Sequence, residues 1–144
     1  MHSDLNALDI GKAAEHLVCA DLLTLGYQAF LSEQGLAYDV IVDIDGRLIR
    51  VQVKGTVGLR AIPQRAAYTP AYLWHVRRAG KGGRRVYREN EFDMLALVAL
   101  DTKQIAYMPP STTVNYVQIR PDGAPTGKQF AHYPAAKAFE EILA

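Results

Sequence analysis

Four side chains of this 144-residue chain, Glu15, Asp39, Gln52 and Lys54, combine chemically useful types with spacings that can bring them together. The last three are tied to one another by Asp45-Gly46. That pair separates two runs rich in β-branched residues, 38–44 and 47–54. Asp-Gly between such runs predicts a hairpin with a type I′ turn, whose two central residues need positive φ. In a two-residue turn opposed positions sum to 91, so Ile44 faces Arg47, Val42 faces Ile49, Val40 faces Val51 and Asp39 faces Gln52. Side chains alternate between the two faces of a strand. One face then carries Val40, Val42, Ile44, Ile49, Val51 and Val53, interrupted by Arg47. The other carries Asp39, Asp43, Arg50, Gln52 and Lys54, with Ile41 and Leu48 between them. Opposed Cβ atoms lie about 4.5–5.5 Å apart, so a carboxylate, an amide and an ammonium share the hairpin end away from the turn. Taken alone, the cluster also reads as a solvated sheet face with a cross-strand ion pair worth under ~1 kcal/mol.

Glu15 comes from a different element. Residues 3–26 have a helical pattern, with Ser3 or Asp4 available as cap and Gly26 as stop. The i, i+3/i+4 series through Glu15 is Leu8, Gly11, Val18, Leu22 and Leu25, all apolar or glycine. This phase points Glu15 at whatever the helix packs against. A carboxylate so placed needs a partner, a metal or a proton, because burying an unpaired charge is expensive. The plainer alternative is a helix-edge glutamate that reaches water or pairs with Lys12.

The remaining elements follow from periodicity and punctuation. Residues 27–33 read as a short strand, and Gly35 turns the chain into the hairpin. Residues 55–70 read as a loop or short helix, in which Thr56, Arg60, Gln64 and Arg65 could also approach a substrate. Residues 71–77 and 85–88 read as two strands around a basic, glycine-rich loop. Residues 94–100 form a continuous apolar run between Asp93 and Asp101, as expected of a strand buried on both faces. Asp93 is expected to cap or terminate that strand. Strands are predicted at 104–108, stopped by Pro109-Pro110, and at 114–119, with a closing helix at 133–144. Tyr72, Trp74 and Tyr87 read as core or interface, and His75 and His132 have no evident acid–base partners. Helices at both ends around a mixed sheet indicate an α/β or α+β architecture in a single domain, residues 1–144.

Composition narrows the classes. Hydrophobic residues at 49% and charged residues at 22% are ordinary globular values, so a core can form without staples. The single cysteine, Cys19, excludes an intramolecular disulfide and cannot make a zinc site alone, which suits a reducing cytoplasm. No stretch has the length and apolarity of a membrane span, and the N-terminus has no secretory pattern. Net charge is only +1, but Arg77, Arg78, Lys81, Arg84 and Arg85 place five positive charges within nine residues, with no acid among them. Such a tip can follow a phosphate backbone, or simply solubilise a loop.

An acid on the first helix, an Asp opening one strand and a residue-x-Lys closing the next resemble the PD-(D/E)XK nuclease superfamily. Here the elements read Gly11-Lys12-Ala13-Ala14-Glu15, Tyr38-Asp39 and Gln52-Val53-Lys54, covering about residues 9–55. Tyr38 stands where many members have proline, and Gln52 where most have Asp or Glu. The QxK variant is similar to the group I intron homing endonucleases of this superfamily, and the GxxxE helix to its Holliday-junction resolvases. The resemblance implies a restriction-endonuclease-like mixed β-sheet flanked by helices, with an αβββ-αβ-type core.

It also implies a Mg²⁺-dependent DNA endonuclease, with Mn²⁺ as a substitute. Mg²⁺ prefers oxygen ligands and only one or two carboxylates, keeping water and substrate oxygens in its other positions. On this reading Asp39 is the principal ligand, Glu15 supplies a second oxygen directly or through water, and Gln52 offers a neutral amide oxygen. Lys54 orients the attacking water or stabilises the pentacovalent state; depressed by burial, it could act as base. The basic tip would contact duplex or branched DNA. One site per chain implies a homodimer or homotetramer to cut both strands. The alternative is a catalytically inactive nuclease-fold DNA-binding protein, since loss of one carboxylate is also how such a site decays. An oligomeric scaffold with a solvated polar face is a third class.

Overall fold

The computed structural model describes residues 5–61, 70–80, 83–86, 91–111 and 113–144. The first helix, α1, spans Ala7–Thr24. Its cap is Asn6, whose side-chain oxygen accepts the Asp9 N–H at 2.8 Å. The sequence candidates for that role, Ser3 and Asp4, lie outside the described residues. The helix stops where expected. Gly26 takes a φ of 97°, Tyr27 N–H donates to Leu22 O and Gly26 N–H to Leu23 O, each at 3.0 Å. This is the paired-bond ending that a left-handed glycine allows.

The strands in chain order are β1 (Gln28–Leu31), β2 (Val40–Ile44), β3 (Arg47–Thr56), β4 (Tyr72–His75), β5 (Arg77–Gly80), β6 (Gly83–Val86), β7 (Met94–Ala99), β8 (Gln104–Met108) and β9 (Tyr116–Ile119); a 3₁₀ turn at Phe130–His132 precedes α2 (Ala135–Leu143). Five of them form a sheet in the order β1-β2-β3-β7-β8. Only β3 and β7 run parallel. The β2–β3 register is the predicted one, with Val40 opposite Val51, Val42 opposite Ile49 and Ile44 opposite Arg47. Asp45 and Gly46 have φ of 51° and 90°, as the type I′ turn demands.

The two faces of the sheet are covered differently. Val40, Val42, Ile49, Val51, Val53, Met94, Ala96 and Val98 pack beneath Ala14, Val18 and Leu22 of α1 and Ala138 and Phe139 of α2. Leu95, Leu97, Ala99, Ala106 and Met108 on the other face lie under Tyr72 and Trp74 of β4, Val117 and Ile119 of β9, and Phe130. Every residue of β7 is buried, so its unbroken apolar run does mark a strand covered on both sides. Among the described residues, no helix is long and apolar enough to cross a membrane.

Two expectations are corrected. The buried line of α1 runs through Ala14, Val18 and Leu22, while Leu8 and Leu25 are largely exposed. Glu15 therefore flanks the buried stripe and is half-buried rather than central. Most of the strand read at 71–77 also does not pair across the basic loop; only its last residue, Arg77, does so, opposite Val86. Instead β4 pairs antiparallel with β9, and Val76, buried and bonded through its N–H to Asn115 O at 2.9 Å, closes that pairing. The chain then starts a separate ribbon, β5–β6, which carries the basic residues.

Candidate active site

Asp39 is fixed by its backbone before its side chain is considered. Its N–H donates to Val51 O at 2.8 Å, and its carbonyl accepts the Ser32 N–H at 2.9 Å. Ser32 Oγ also donates to Tyr38 O at 2.5 Å, tying down the segment that enters β2. The β2–β3 ladder ends at Val40–Val51, so Asp39 is not a ladder partner of Gln52. It reaches β3 through its carboxylate, which accepts the Val53 N–H at 2.8 Å. Burial pushes the Asp39 carboxyl up, against the Val53 hydrogen bond and the Lys54 charge, which both pull it down. That pull puts the lysine's charge near the carboxylate, as the hairpin reading expected.

Glu15 depends on how closely α1 can approach β3, and Gly55 sets that distance. A Cβ on Gly55 would sit 2.8 Å from Ala14 Cβ and 3.3 Å from both Ile10 Cγ2 and Ile10 O. Only a residue without a side chain lets the helix seat there. Burial and the neighbouring Asp39 carboxylate raise Glu15 to about 6, with Lys12 pulling the other way. The anticipated Lys12 interaction thus exists but is outweighed. A carboxylate whose proton affinity is raised by a neighbouring carboxylate forms with it a site that either a proton or a cation relieves.

Gln52 is buried and its Nε2 donates to Val53 O at 3.3 Å, so the amide's oxygen is the end chemically able to ligate a cation. Glu15, Asp39, Gln52 and Lys54 all line one cleft of about 480 Å³, together with Gly11, Arg60, Leu73, Trp74 and His75. The four residues singled out in the sequence are therefore brought together. Two carboxylates and an amide oxygen suit a hard, oxygen-preferring cation such as Mg²⁺, which keeps part of its coordination for water and phosphate.

Other expectations fared differently. Thr56 is buried at 5% exposure and does not line the cleft. Gln64 and Arg65 lie outside the described residues, as do Lys81 and Tyr87. Arg77, Arg78, Arg84 and Arg85 fall on the β5–β6 ribbon, where Arg78 and Arg85 share a rung. Tyr72 and Trp74 are core residues as expected; Trp74 Nε1 donates to Val98 O at 3.0 Å while the side chain also borders the cleft. Asp93, expected as a strand cap, pairs with Arg50 through Nε at 3.1 Å. Sequence reasoning missed Gly55, whose signal was only a glycine directly after the Lys54 position. It also missed the wall supplied by β4, because the β4–β9 pairing spans 40 residues of sequence and leaves no local trace.

Three comparisons bear on this arrangement. Among curated proteins, no sequence matches the chain. Among solved structures, a bacterial homing endonuclease superposes with a TM-score of 0.68 over 93% of this chain and 90% of its own, at 21% identity, which establishes a shared fold. A family model described as PD-(D/E)XK endonuclease matches residues 5–141, which include the helix of Glu15, the hairpin of Asp39 to Lys54, and both covering layers. The chain belongs to the PD-(D/E)XK endonuclease family.

Proposed function

We propose that this protein is a Mg²⁺-dependent DNA endonuclease, homing-endonuclease-like or resolvase-like, and that Mn²⁺ can replace Mg²⁺. The observation that carries the reading is the cleft in which Glu15, Asp39, Gln52 and Lys54 meet. Asp39 would hold the metal with its second carboxylate oxygen, the first being committed to the Val53 N–H. Glu15 and the Gln52 amide oxygen would complete the protein's share of ligands. When bound, the metal supplies polarisation of the phosphoryl oxygen and a water of lowered pKa. Lys54 would hold the attacking water or meet the charge that develops on phosphorus. The α1 and β4 walls of the cleft would exclude bulk water from one side of the scissile phosphate.

Binding would rest on the basic ribbon. Arg77, Arg78, Arg84 and Arg85 lie on a two-stranded element narrow enough to enter a DNA groove, and Lys81 adds a further positive charge to this stretch of sequence. Arg78 and Arg85 share a rung. Cutting both strands of a duplex with one site per chain calls for a homodimer or homotetramer, acting in a reducing cytoplasm. A non-cleaving DNA-binding protein is favoured by one feature, the neutral Gln52 at a position a third carboxylate could occupy.

The experiment is plasmid cleavage. Mg²⁺ or Mn²⁺ converts supercoiled DNA to nicked or linear forms with the native chain, and not with Asp39→Ala or Lys54→Ala, while both variants still bind DNA. Salt-sensitive binding without cleavage by the native chain selects the second reading. Cleavage unchanged by Asp39→Ala refutes the site assignment.

A further inference from the structure

The cleft has a second wall that the Asp39 cluster does not use. Arg60 stands on the segment leaving β3, is exposed, and lines the same cleft as Glu15, Asp39, Gln52 and Lys54. Its main chain is fixed there. Arg60 N–H donates to Ala71 O at 2.8 Å, and Ala71 N–H donates back to Arg60 O at 2.9 Å, an antiparallel bridge. Ala71 is fully buried and leads directly into β4, whose Leu73, Trp74 and His75 form the rest of that wall. Trp74 is in turn anchored to Val98 O of the central sheet at 3.0 Å. The arginine is therefore mounted on a braced wall of the cleft.

Its electrostatic setting is equally specific. Among the described residues no acid pairs with Arg60. Two carboxylates, Glu15 and Asp39, line the same cleft, yet neither takes the guanidinium. A guanidinium carries five N–H donors in a planar fork that suits the oxygens of a phosphodiester, whereas the Lys54 ammonium is a point charge. The cleft, at about 480 Å³, falls in the range of roughly 300–1,000 Å³ that accommodates whole ligands. A single phosphate at Asp39 would leave much of it unfilled.

We propose that Arg60 grips a backbone phosphate of the nucleic acid next to the phosphate held at Asp39, so that the cleft seats two consecutive phosphates of one strand. This rests on the nucleic-acid reading given above. The carboxylate side takes the reacting phosphate through a cation, and the Arg60 side takes its neighbour directly. Arg60 thereby sets which linkage of the strand lies over Asp39.

The test is a salt titration of binding to a short fluorescent duplex, with chelator present, for the native chain, Arg60→Ala and Arg60→Lys. The side chain is exposed and the bridge is made by main-chain atoms, so both variants keep the fold, checked by thermal melting. Arg60→Ala weakens binding and flattens the slope of log affinity against log salt by roughly 0.9, the contribution of one phosphate. Arg60→Lys restores the slope. A neutral methylphosphonate at the one linkage Arg60 contacts weakens the native chain and leaves Arg60→Ala unaffected. Unchanged slope and affinity in Arg60→Ala, with a native chain that cleaves plasmid, overturns the clamp and spares the endonuclease. A native chain that shows the Arg60-dependent slope but never cleaves overturns the endonuclease and keeps the clamp. A native chain without salt-dependent binding overturns both.

Discussion

Strand β3 meets a carboxylate at each of two places on its polar face, and the fold treats them in opposite ways. At Arg50 the carboxylate of Asp93 accepts the Arg50 N–H at 2.8 Å, Nε at 3.1 Å and a terminal guanidinium nitrogen at 3.3 Å. Asp93 N–H donates back to Arg50 O at 2.8 Å, and the guanidinium lies 5.7 Å from the Tyr38 ring centroid. Burial raises the Asp93 carboxyl, but the Arg50 hydrogen bonds and charge, aided by Arg47, outweigh it and hold the group below its ordinary value. Three residues further along, Asp39 receives one N–H, from Val53, and has Glu15 for a neighbour; both carboxyls are raised. The fold evidently can satisfy a carboxylate on this strand. That it satisfies one and crowds the other sets the crowded pair, which also lines the cleft, apart, and it is there that the proposed function would have a charge from outside received.

Removing a carboxylate from each place breaks the comparison most sharply. Asp39→Ala, and likewise Lys54→Ala, lowers metal-dependent plasmid cleavage by about 10²-fold or more, the scale on which single groups that meet transition-state charge are lost. Asp93→Ala has the opposite profile. It costs roughly 1–3 kcal/mol of stability in urea unfolding, because the Arg50 donors lose a partner, while cleavage per folded molecule persists. An Asp93→Ala chain that stays folded but cuts no better than Asp39→Ala would show the two carboxylates to be one functional unit.

Gly55 tests whether the crowding is imposed by packing. Gly55→Ala puts a methyl 2.8 Å from Ala14 Cβ, against a helix that cannot yield at one point without moving as a whole. The expected cost is about 1–3 kcal/mol in stability. Cleavage falls further than the folded fraction does, because α1 carries Glu15. Cleavage tracking the folded fraction alone would mean that Glu15 tolerates displacement.

The two places also titrate with opposite sign. In metal-free protein the raised Glu15 binds its proton more tightly folded than unfolded. Its ordinary value is 4.5 and its folded value about 6, so between them the folded state holds more protons and stability falls as pH rises. Asp93 is depressed from 3.8, so its stabilisation is present above that value and is lost as pH falls through the folded one. Melting temperature against pH should therefore gain on descending through pH 6 and lose below about pH 4. Glu15→Gln flattens the first limb, with the raised Asp39 leaving a remnant, and Asp93→Asn flattens the second. A Glu15→Gln curve that keeps the whole first limb would remove Glu15 from the pair.

The comparison also separates what local sequence could reveal from what it could not. Asp45-Gly46 specified the β2–β3 register because a type I′ turn leaves one way to pair the flanking strands. That sufficed to draw Asp39, Gln52 and Lys54 together. Helical phase brought in Glu15 but misplaced the buried stripe, since Leu8 and Leu25 are apolar yet stand beyond the part of α1 that the sheet covers. The Arg50–Asp93 pair was illegible because it crosses between parallel strands 43 residues apart. The β4–β9 wall was hidden for the same reason, and with it the positions of Arg60 and His75. Local rules find turns, caps and faces; they do not find which distant strand comes to lie alongside.

The smallest effect is expected at Gly11, one turn before Glu15. A glycine inside a helix costs roughly 0.5–1 kcal/mol relative to alanine, and here it borders the cleft. A Cβ at Gly11 would meet Glu15 Oε2 at 3.8 Å, an ordinary contact, so nothing steric forbids Gly11→Ala. The variant should melt about 2–4 °C higher and cleave within a few-fold of the native chain. If it melts higher but cleavage collapses, the space beside the Glu15 carboxylate belongs to the reaction, and the glycine is kept at a cost in stability for the sake of the crowded pair. If neither changes, the helix already relaxes at that turn, and the crowding at Glu15 originates entirely from the β3 side, at Gly55.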